Sequence, residues 1–312
     1  MHNHSHGHSH HHHVSDPHGS DPHDSGSSAS KRIGWAFFLN VMFTIIEFIG
    51  GWLTNSTAIM ADAVHDLGDS LSIGTAWVLN KISDKEANST FSYGFKRFSL
   101  LGALINGLVL TVGSIWILFE AIPRLAAPEM PEAEGMLLLS IFGIAVNGFA
   151  AYKLSDGDSL NERVLNWHLL EDVLGWVAVL IVSIVLMFKP WPILDPILSI
   201  GFTLFILFNV ARNLKETIFL FLQATPDEAQ VKEVRNLLLS KPEVSEIHHF
   251  HIWSLDGANS VMTVHLVLAG ELSVAQIKNL KQQLQESLAT FEFVHTTIEL
   301  EFADEQCRDK GV

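Results

Sequence analysis

Two pairs of residues share one type and one spacing. His65 and Asp69 lie in "AVHDLGDSL" (63–71), and His168 and Asp172 lie in "NWHLLEDVLGW" (166–176). In each pair the aspartate follows the histidine by four positions, so a helix carries both side chains on one face about a turn apart. Together the pairs offer two imidazole nitrogens and two carboxylate oxygens, a closed tetrahedral set suited to Zn2+. Two carboxylates also cancel the charge of a divalent ion held by neutral imidazoles. Asp62 falls near His65 and Asp69 on the helical wheel, and Asp66 lies at the edge of the same arc. A polar cluster bridging two helices without an ion would use the same residue types. The repetition of the spacing favours a metal.

Both pairs sit in stretches that otherwise read as membrane-spanning. An ionisable group at mid-bilayer costs roughly 2.5–3.5 kcal/mol on insertion scales, so such residues face a bundle interior or a wet cavity and mark a pathway. A bound cation offsets that cost. Glu47, and Glu171 beside Asp172, are weaker candidates for the same surroundings; Glu171 lies about 100° round the helix and reads as packing or cavity lining. Asn40, Asn106 and Asn147 read as interhelical hydrogen-bonding residues.

The elements that must position these residues are six apolar segments at roughly 33–54, 56–80, 98–122, 135–154, 160–188 and 193–214. Each is long enough to cross a hydrocarbon core of about 30 Å. The chain of 312 residues is 48% hydrophobic and only 17% charged, below the usual ~25% for a soluble domain. Lys31, Arg32, Lys81, Lys85, Lys96, Arg97, Lys153, Arg163, Arg212 and Lys215 gather on one side, against Arg124 and Lys189 on the other. That bias places both termini in the cytoplasm. His65 lies mid-span and His168 early in its span, so the pairs match in depth only if the fifth helix begins near residue 159. No glycine or proline between 159 and 172 prevents this.

Composition changes near 216. Thr225-Pro226-Asp227-Glu228 reads as a helix start with Thr225 as N-cap, and Ser273 with Gln276 reads as a capping box. "EIHHFHIWSLDGANSVMTVHLVL" reads as two strands joined by a Gly/Asn turn, and "FEFVHTTIELEF" as a third. The expected fold class is an α-helical membrane protein with six transmembrane helices and a C-terminal cytoplasmic α+β domain of ferredoxin-like, metallochaperone-like type. The expected divisions are a disordered His-rich tail (1–30), the transmembrane domain (31–215), an α-β-β-α-β domain (216–303) and a short C-terminal tail (304–312).

A formal net charge of −15 excludes nucleic acid as a partner. The polar start is not a cleavable signal peptide, and the one cysteine, Cys307, rules out a disulfide framework. Of 17 histidines, ten lie in the first 23 residues, and such a tail can bind Zn2+, Ni2+, Cu2+ or Co2+ loosely. Five more, His248, His249, His251, His265 and His295, lie in the cytoplasmic part.

"STAIMADAVHDLGDSLS", "YGFKRFSLLGALINGLVL", "LNWHLLEDVLGW", "DPILSI" and "VSEIHHFHIWSL" together resemble the cation diffusion facilitators, a family of zinc-exporting antiporters, of the bacterial zinc/cobalt/cadmium-efflux type. The likeness spans about residues 31–303. It implies a homodimer in the plasma (inner) membrane, a transport site at His65, Asp69, His168 and Asp172, and exchange of cytoplasmic Zn2+ for external protons. In this family histidine at the first position goes with zinc preference, so Zn2+ is favoured over Cd2+, with Co2+ and Ni2+ as further cargo. The likeness also implies a regulatory zinc site on the cytoplasmic domain at His248, His265 and His295. There Thr297 departs from the carboxylate of some members, and Glu299 or Glu301 could substitute. His249 and His251 are expected to pack or lie on the strand surface. No extra site is expected in the 81–97 loop, which has no histidine.

Protons compete with metal for imidazole and carboxylate ligands, and an unperturbed imidazole titrates near ~6.5, which suits such an exchange. Two other classes compete. A metal-dependent membrane enzyme needs an open coordination position and an adjacent acid or base; Glu171 could be argued for that role, but no nucleophile or substrate pocket accompanies it. A membrane metal sensor needs an output domain beyond the C-terminal part.

Overall fold

Six long helices open the chain and a three-stranded sheet with two helices closes it. The structure is a computed structural model; it describes residues 22–82, 87–154, 160–291 and 293–309, without the side chains of 22–36, 76, 77, 80, 81, 153, 154 and 160–168. The long helices are α1 (Pro22–Leu53), α2 (Thr57–Ile82), α3 (Phe98–Ala126), α4 (Ala133–Leu154), α5 (Leu160–Phe188) and α6 (Leu194–Phe221). They coincide with the six apolar segments to within a few residues, apart from two longer extensions. α1 begins at Pro22, inside the segment expected to be disordered, with proline in the first turn, where a missing N–H loses nothing. α6 runs past its expected end at 214 to Phe221. The remainder of the His-rich tail, 1–21, lies outside the described residues.

Among the described residues, four helical stretches are long and apolar enough to cross a membrane: Phe98–Ala126, Ala133–Tyr152, Leu169–Phe188 and Leu194–Phe221. Large apolar side chains such as Val112, Phe119, Phe149, Phe188 and Phe208 point outward from the bundle. The described apolar part of α1 is shorter, Phe37–Leu53. α2 is excluded by its own chemistry, because Asp62, Asp66 and Asp69 fall within it.

That polar helix is the hub of the bundle, touching α1, α3, α5 and α6. Ala58 and Ile59 enter one apolar cluster with Phe43, Met136, Trp176 and Val179. Ala61 and Val64 enter a second with Leu110, Ile117, Ile206 and Val210. Two apolar stripes are thus used for packing, and the remaining arc carries the acids and His65. Gly68 allows the close approach of α3, since a Cβ there would lie 2.5 Å from a Leu110 methyl.

The C-terminal part runs α7 (Glu228–Leu239), β1 (Val244–Ser254), β2 (Ser260–Leu268), α8 (Val274–Leu288), a 3-10 turn and β3 (His295–Glu301), the expected order. The Ser273–Gln276 capping box is present. At α7 the cap is Asp227 rather than Thr225: Asp227 is extended and its carboxylate accepts from the Ala229 N–H at 2.8 Å. The sheet order is β1-β2-β3, antiparallel then parallel, and α8 supplies the crossover that parallel strands require. Met262, Val264, Leu266 and Leu268 of β2 bury against Val234 and Leu238 of α7 and Leu280, Leu284 and Leu288 of α8. By the two-residue period of a strand, the alternate residues, including His265, occupy the opposite face.

Candidate metal centres

His65 is held by α2 at the point where that helix meets α5. Its Nε2 lies 3.9 Å from Asp69 Oδ2, one turn along the same helix, and 3.7 Å from Asp172 Oδ1 across the contact with α5. Asp172 is buried, while His65 and Asp69 are partly open. His168 stands on α5 one turn before Asp172; its side chain lies outside the described residues. α5 begins at Leu160, as depth matching of the two pairs requires. Three of the four residues singled out by spacing therefore converge. Glu171 is exposed, whereas Glu47 of α1 is only 1% exposed.

The hydrogen bonds of Asn40 and Asn106 fix α2 to its neighbours. Asn40 Nδ2 donates to the Asp66 carbonyl at 3.3 Å and to Ser70 Oγ at 3.0 Å, tying α1 to α2. Asn106 Nδ2 donates to Ser72 Oγ at 2.7 Å, tying α3 to α2. Asn147 differs from expectation: its buried Nδ2 has no hydrogen-bond partner among the described residues.

Asp195, in the "DPILSI" stretch, has a role that its sequence position does not disclose. Only 2% exposed, it caps α2 from α6. Ser56 Oγ donates to its Oδ1 at 2.5 Å, the Thr57 N–H and Oγ1 to its Oδ2 at 2.8 Å each, and the Ala58 N–H to its Oδ1 at 3.3 Å. These are the first N–H groups of a helix, which have no partner within it, and a carboxylate there also complements the helix dipole. The Asp195 cap sets the start of α2 and hence the placement of His65 two turns later.

A second constellation lies on the sheet face opposite α7 and α8. Register places His248 beside His265 and His265 beside Glu299. Glu301, two residues further along β3, bridges the two imidazoles: Oε2 lies 2.8 Å from His248 Nε2 and Oε1 2.7 Å from His265 Nδ1. His248, His265, Glu301 and Cys307 each bring one potential ligand atom within 4.8 Å of the others. Burial pushes the Glu301 carboxyl up. Hydrogen bonds from Cys307 and His265, with the charge of His248, outweigh burial and leave it below its ordinary value. Desolvation first, then Glu301, push the Cys307 thiol up.

His295 is not part of this group. It pairs with Val261, four residues before Glu299 on β3, which is about 13 Å along a strand. Its ring instead meets Tyr93 of the α2–α3 connection at 5.1 Å. Of the two carboxylates expected to stand in for Thr297, Glu301 is the one that meets both imidazoles at hydrogen-bond distance. His249, expected to pack or lie on the strand surface, has its ring 4.9 Å from that of His265 and 5.2 Å from that of His248. A bulge between His248 and His251 and a φ of +48° at His249 break the alternation that would send it to the other face.

A polar helix clasped by apolar ones, with His65 and Asp69 meeting Asp172 of α5, is an arrangement suited to holding a cation inside the bundle. Residues 35–222 match the cation efflux transmembrane domain, and residues 226–303 match the cation efflux protein cytoplasmic domain, a family designated ZT dimer. The chain belongs to the cation efflux family, whose members are transporters and not enzymes. It is 32% identical over 284 residues to a "Cadmium, cobalt and zinc/H(+)-K(+) antiporter" of Bacillus subtilis, covering 89% of this chain and 91% of that one. It is 32% identical over 288 residues to "Zinc transporter ZitB" of Pectobacterium atrosepticum, covering 91% and 88%. A "Metal cation efflux system protein CzcD" of Cupriavidus metallidurans is likewise 32% identical over 288 residues, covering 91% and 90%.

Proposed function

We propose that the protein exports Zn2+ from the cytoplasm in exchange for protons, as a homodimer. Its six helices cross the plasma (inner) membrane and both termini are cytoplasmic. The transport site is His65, Asp69, His168 and Asp172, and Cd2+, Co2+ and Ni2+ are alternative cargo. The observation that carries this reading is the position of His65 Nε2 between Asp69 Oδ2 and Asp172 Oδ1, at 3.9 and 3.7 Å. Ligand atoms around a tetrahedral Zn2+ with bonds of about 2.0–2.2 Å lie about 3.3–3.6 Å apart, so small side-chain movements close the shell.

The chain's own residues divide the work. Asp172, the buried member, supplies negative charge on α5, while the partly open His65 and Asp69 meet the ion as it enters. Each ligand that releases metal is free to take a proton, so metal and protons exclude one another at one set of atoms. A more acidic exterior then favours release outward. Relative movement of α2 and α5 separates the ligands, with the Asp195 cap keeping the start of α2 intact and the asparagine hydrogen bonds holding α2 to α1 and α3. His248, His265 and Glu301 form a cytoplasmic Zn2+ site that regulates transport.

The test is purified protein in vesicles enclosing a zinc-sensitive dye, with an imposed pH gradient. Zinc entry that follows the gradient and is lost in Asp172→Ala is the expected result. Flux indifferent to the gradient would overturn proton exchange, and equal flux in the variant would overturn the site. Saturable binding without flux would make the protein a sensor, and metal-stimulated turnover of a covalent substrate would make it an enzyme.

A further inference from the structure

We infer that Cys307 is the fourth ligand of the cytoplasmic metal site, so that the C-terminal segment 302–309 is a flap closed over the sheet by the metal. The inference rests on the reading of His248, His265 and Glu301 as that site, and adds a thiolate from outside the sheet domain's last strand.

The chain path brings the sulfur back. After Glu301 the strand ends, and the chain turns where the Glu305 N–H donates to the Phe302 carbonyl at 3.0 Å and the Phe302 N–H donates to Glu305 Oε2 at 3.2 Å. The reversal sets Cys307 Sγ 3.5 Å from His265 Nδ1, the nitrogen that also meets Glu301 Oε1. All four ligand atoms then lie within 4.8 Å of one another. A tetrahedral site with nitrogen or oxygen bonds of about 2.0–2.2 Å and a sulfur bond of about 2.3 Å needs separations of about 3.3–3.7 Å. The longest separations must close by about an ångström, and the contacts of Glu301 with the imidazoles, now 2.7 and 2.8 Å, must open by about half an ångström.

The flap also arranges the surrounding charges. Arg308 Nη2 meets Glu299 Oε2 at 3.3 Å, so the nearer carboxylate in register with His265 is engaged and Glu301 is the one turned to the site. Asp309 Oδ2 lies 3.7 Å from His265 Nε2, and Glu299 Oε2 3.6 Å from it. These two carboxylates lie beside the far nitrogen, and the near nitrogen, Nδ1, is the one that faces Glu301 and Cys307. Two imidazoles, one carboxylate and one thiolate make a donor set suited to Zn2+, Co2+ and Cd2+.

Cys307 is the only cysteine of the chain, so sulfur-to-metal charge transfer in the intact protein reports on this position alone, whatever the His-rich tail or the intramembrane site binds. Full-length protein in detergent, titrated with Co2+, should show a near-ultraviolet thiolate-to-cobalt band that Zn2+ displaces. The band should vanish in Cys307→Ser and in His265→Ala, with His265→Ala also binding one ion fewer per protomer. Cys307→Ser should weaken that ion's binding by about tenfold or more, on the scale of ligand-shell losses. Wild-type protein that binds a His265-dependent ion without the band would overturn the thiolate ligand and leave the cytoplasmic site standing. A band that survives His265→Ala would place the thiolate at another site and overturn the inference as well. Absence of any His265-dependent ion would remove the cytoplasmic site itself.

Discussion

His65 Nε2 stands 3.7 Å from Asp172 Oδ1 across the contact between α2 and α5. A sequence separation of more than a hundred residues is thereby closed to a distance one metal ion can bridge. Asp172→Asn keeps the shape of the side chain and removes its charge, so the occupied site gains a net positive charge in a poorly solvated place. Zinc flux into dye-loaded vesicles should fall at least about tenfold, while the His265-dependent ion of the cytoplasmic domain remains. Unchanged flux would mean that the ion does not pass between α2 and α5.

Asp195 tests positioning rather than ligation. Its carboxylate accepts from two hydroxyls and two N–H groups at the start of α2. Removing a helix cap costs typically about 1 kcal/mol, and leaving buried donors unpaired costs about 1–3 kcal/mol more. Asp195→Ala should lower stability by about 2–4 kcal/mol, measured as a downward shift in thermal unfolding in detergent followed by tryptophan fluorescence. Asp195→Asn retains acceptance at one atom and should lose less. Equal melting of all three proteins would refute the capping role.

The long helices and the meeting of His65, Asp69 and Asp172 were largely legible because both depend on local pattern. Apolar runs define the helices, and a four-residue spacing places His65 with Asp69 on one face. The helix is also why α2 fails as an apolar span: the same spacing loads it with Asp62, Asp66 and Asp69. Long-range and irregular features were not legible. Asp195 caps a helix 138 residues away, counted to Thr57, and nothing in "DPILSI" identifies that partner. On the cytoplasmic sheet, which β3 residues meet the histidines depends on parallel register, which puts His265 beside Glu299 and His295 beside Val261. His249 was hidden by a bulge, since strand alternation assigns it to the face away from His248. Cys307 was visible only as a lone thiol near the end of the chain, because its partners are fixed by a turn after β3.

That bulge gives a prediction of its own. His249 holds a φ of +48°, a region that a residue with a Cβ occupies at a cost of roughly 1–2 kcal/mol and glycine occupies readily. His249→Gly should therefore slow amide exchange of the neighbouring β1 and β2 strands in the full-length protein, corresponding to stabilisation of up to about 1 kcal/mol. His249→Ala should not, because alanine keeps the strain while losing the ring contacts with His248 and His265. Faster exchange in the glycine variant would show that those ring contacts outweigh the backbone strain.

Glu301 ties the cytoplasmic cluster to pH. Burial raises its carboxyl, but hydrogen bonds from Cys307 and His265, then the charge of His248, outweigh burial and leave it below its ordinary value of 4.5. A carboxyl held lower in the folded state than in the unfolded chain stabilises the fold in its ionised form. That contribution is fully present above the unfolded value, and it is lost as pH falls from about 4.5 through the lower folded value. Glu301→Gln cannot ionise, so its deficit relative to wild type should be present above about 4.5 and shrink as pH falls below it. Amide exchange of β2 and β3, compared between the two proteins at each pH without added metal, measures the deficit. A deficit that stays constant through the acid range would show that Glu301 stabilises the sheet by packing and hydrogen bonding, independent of its charge.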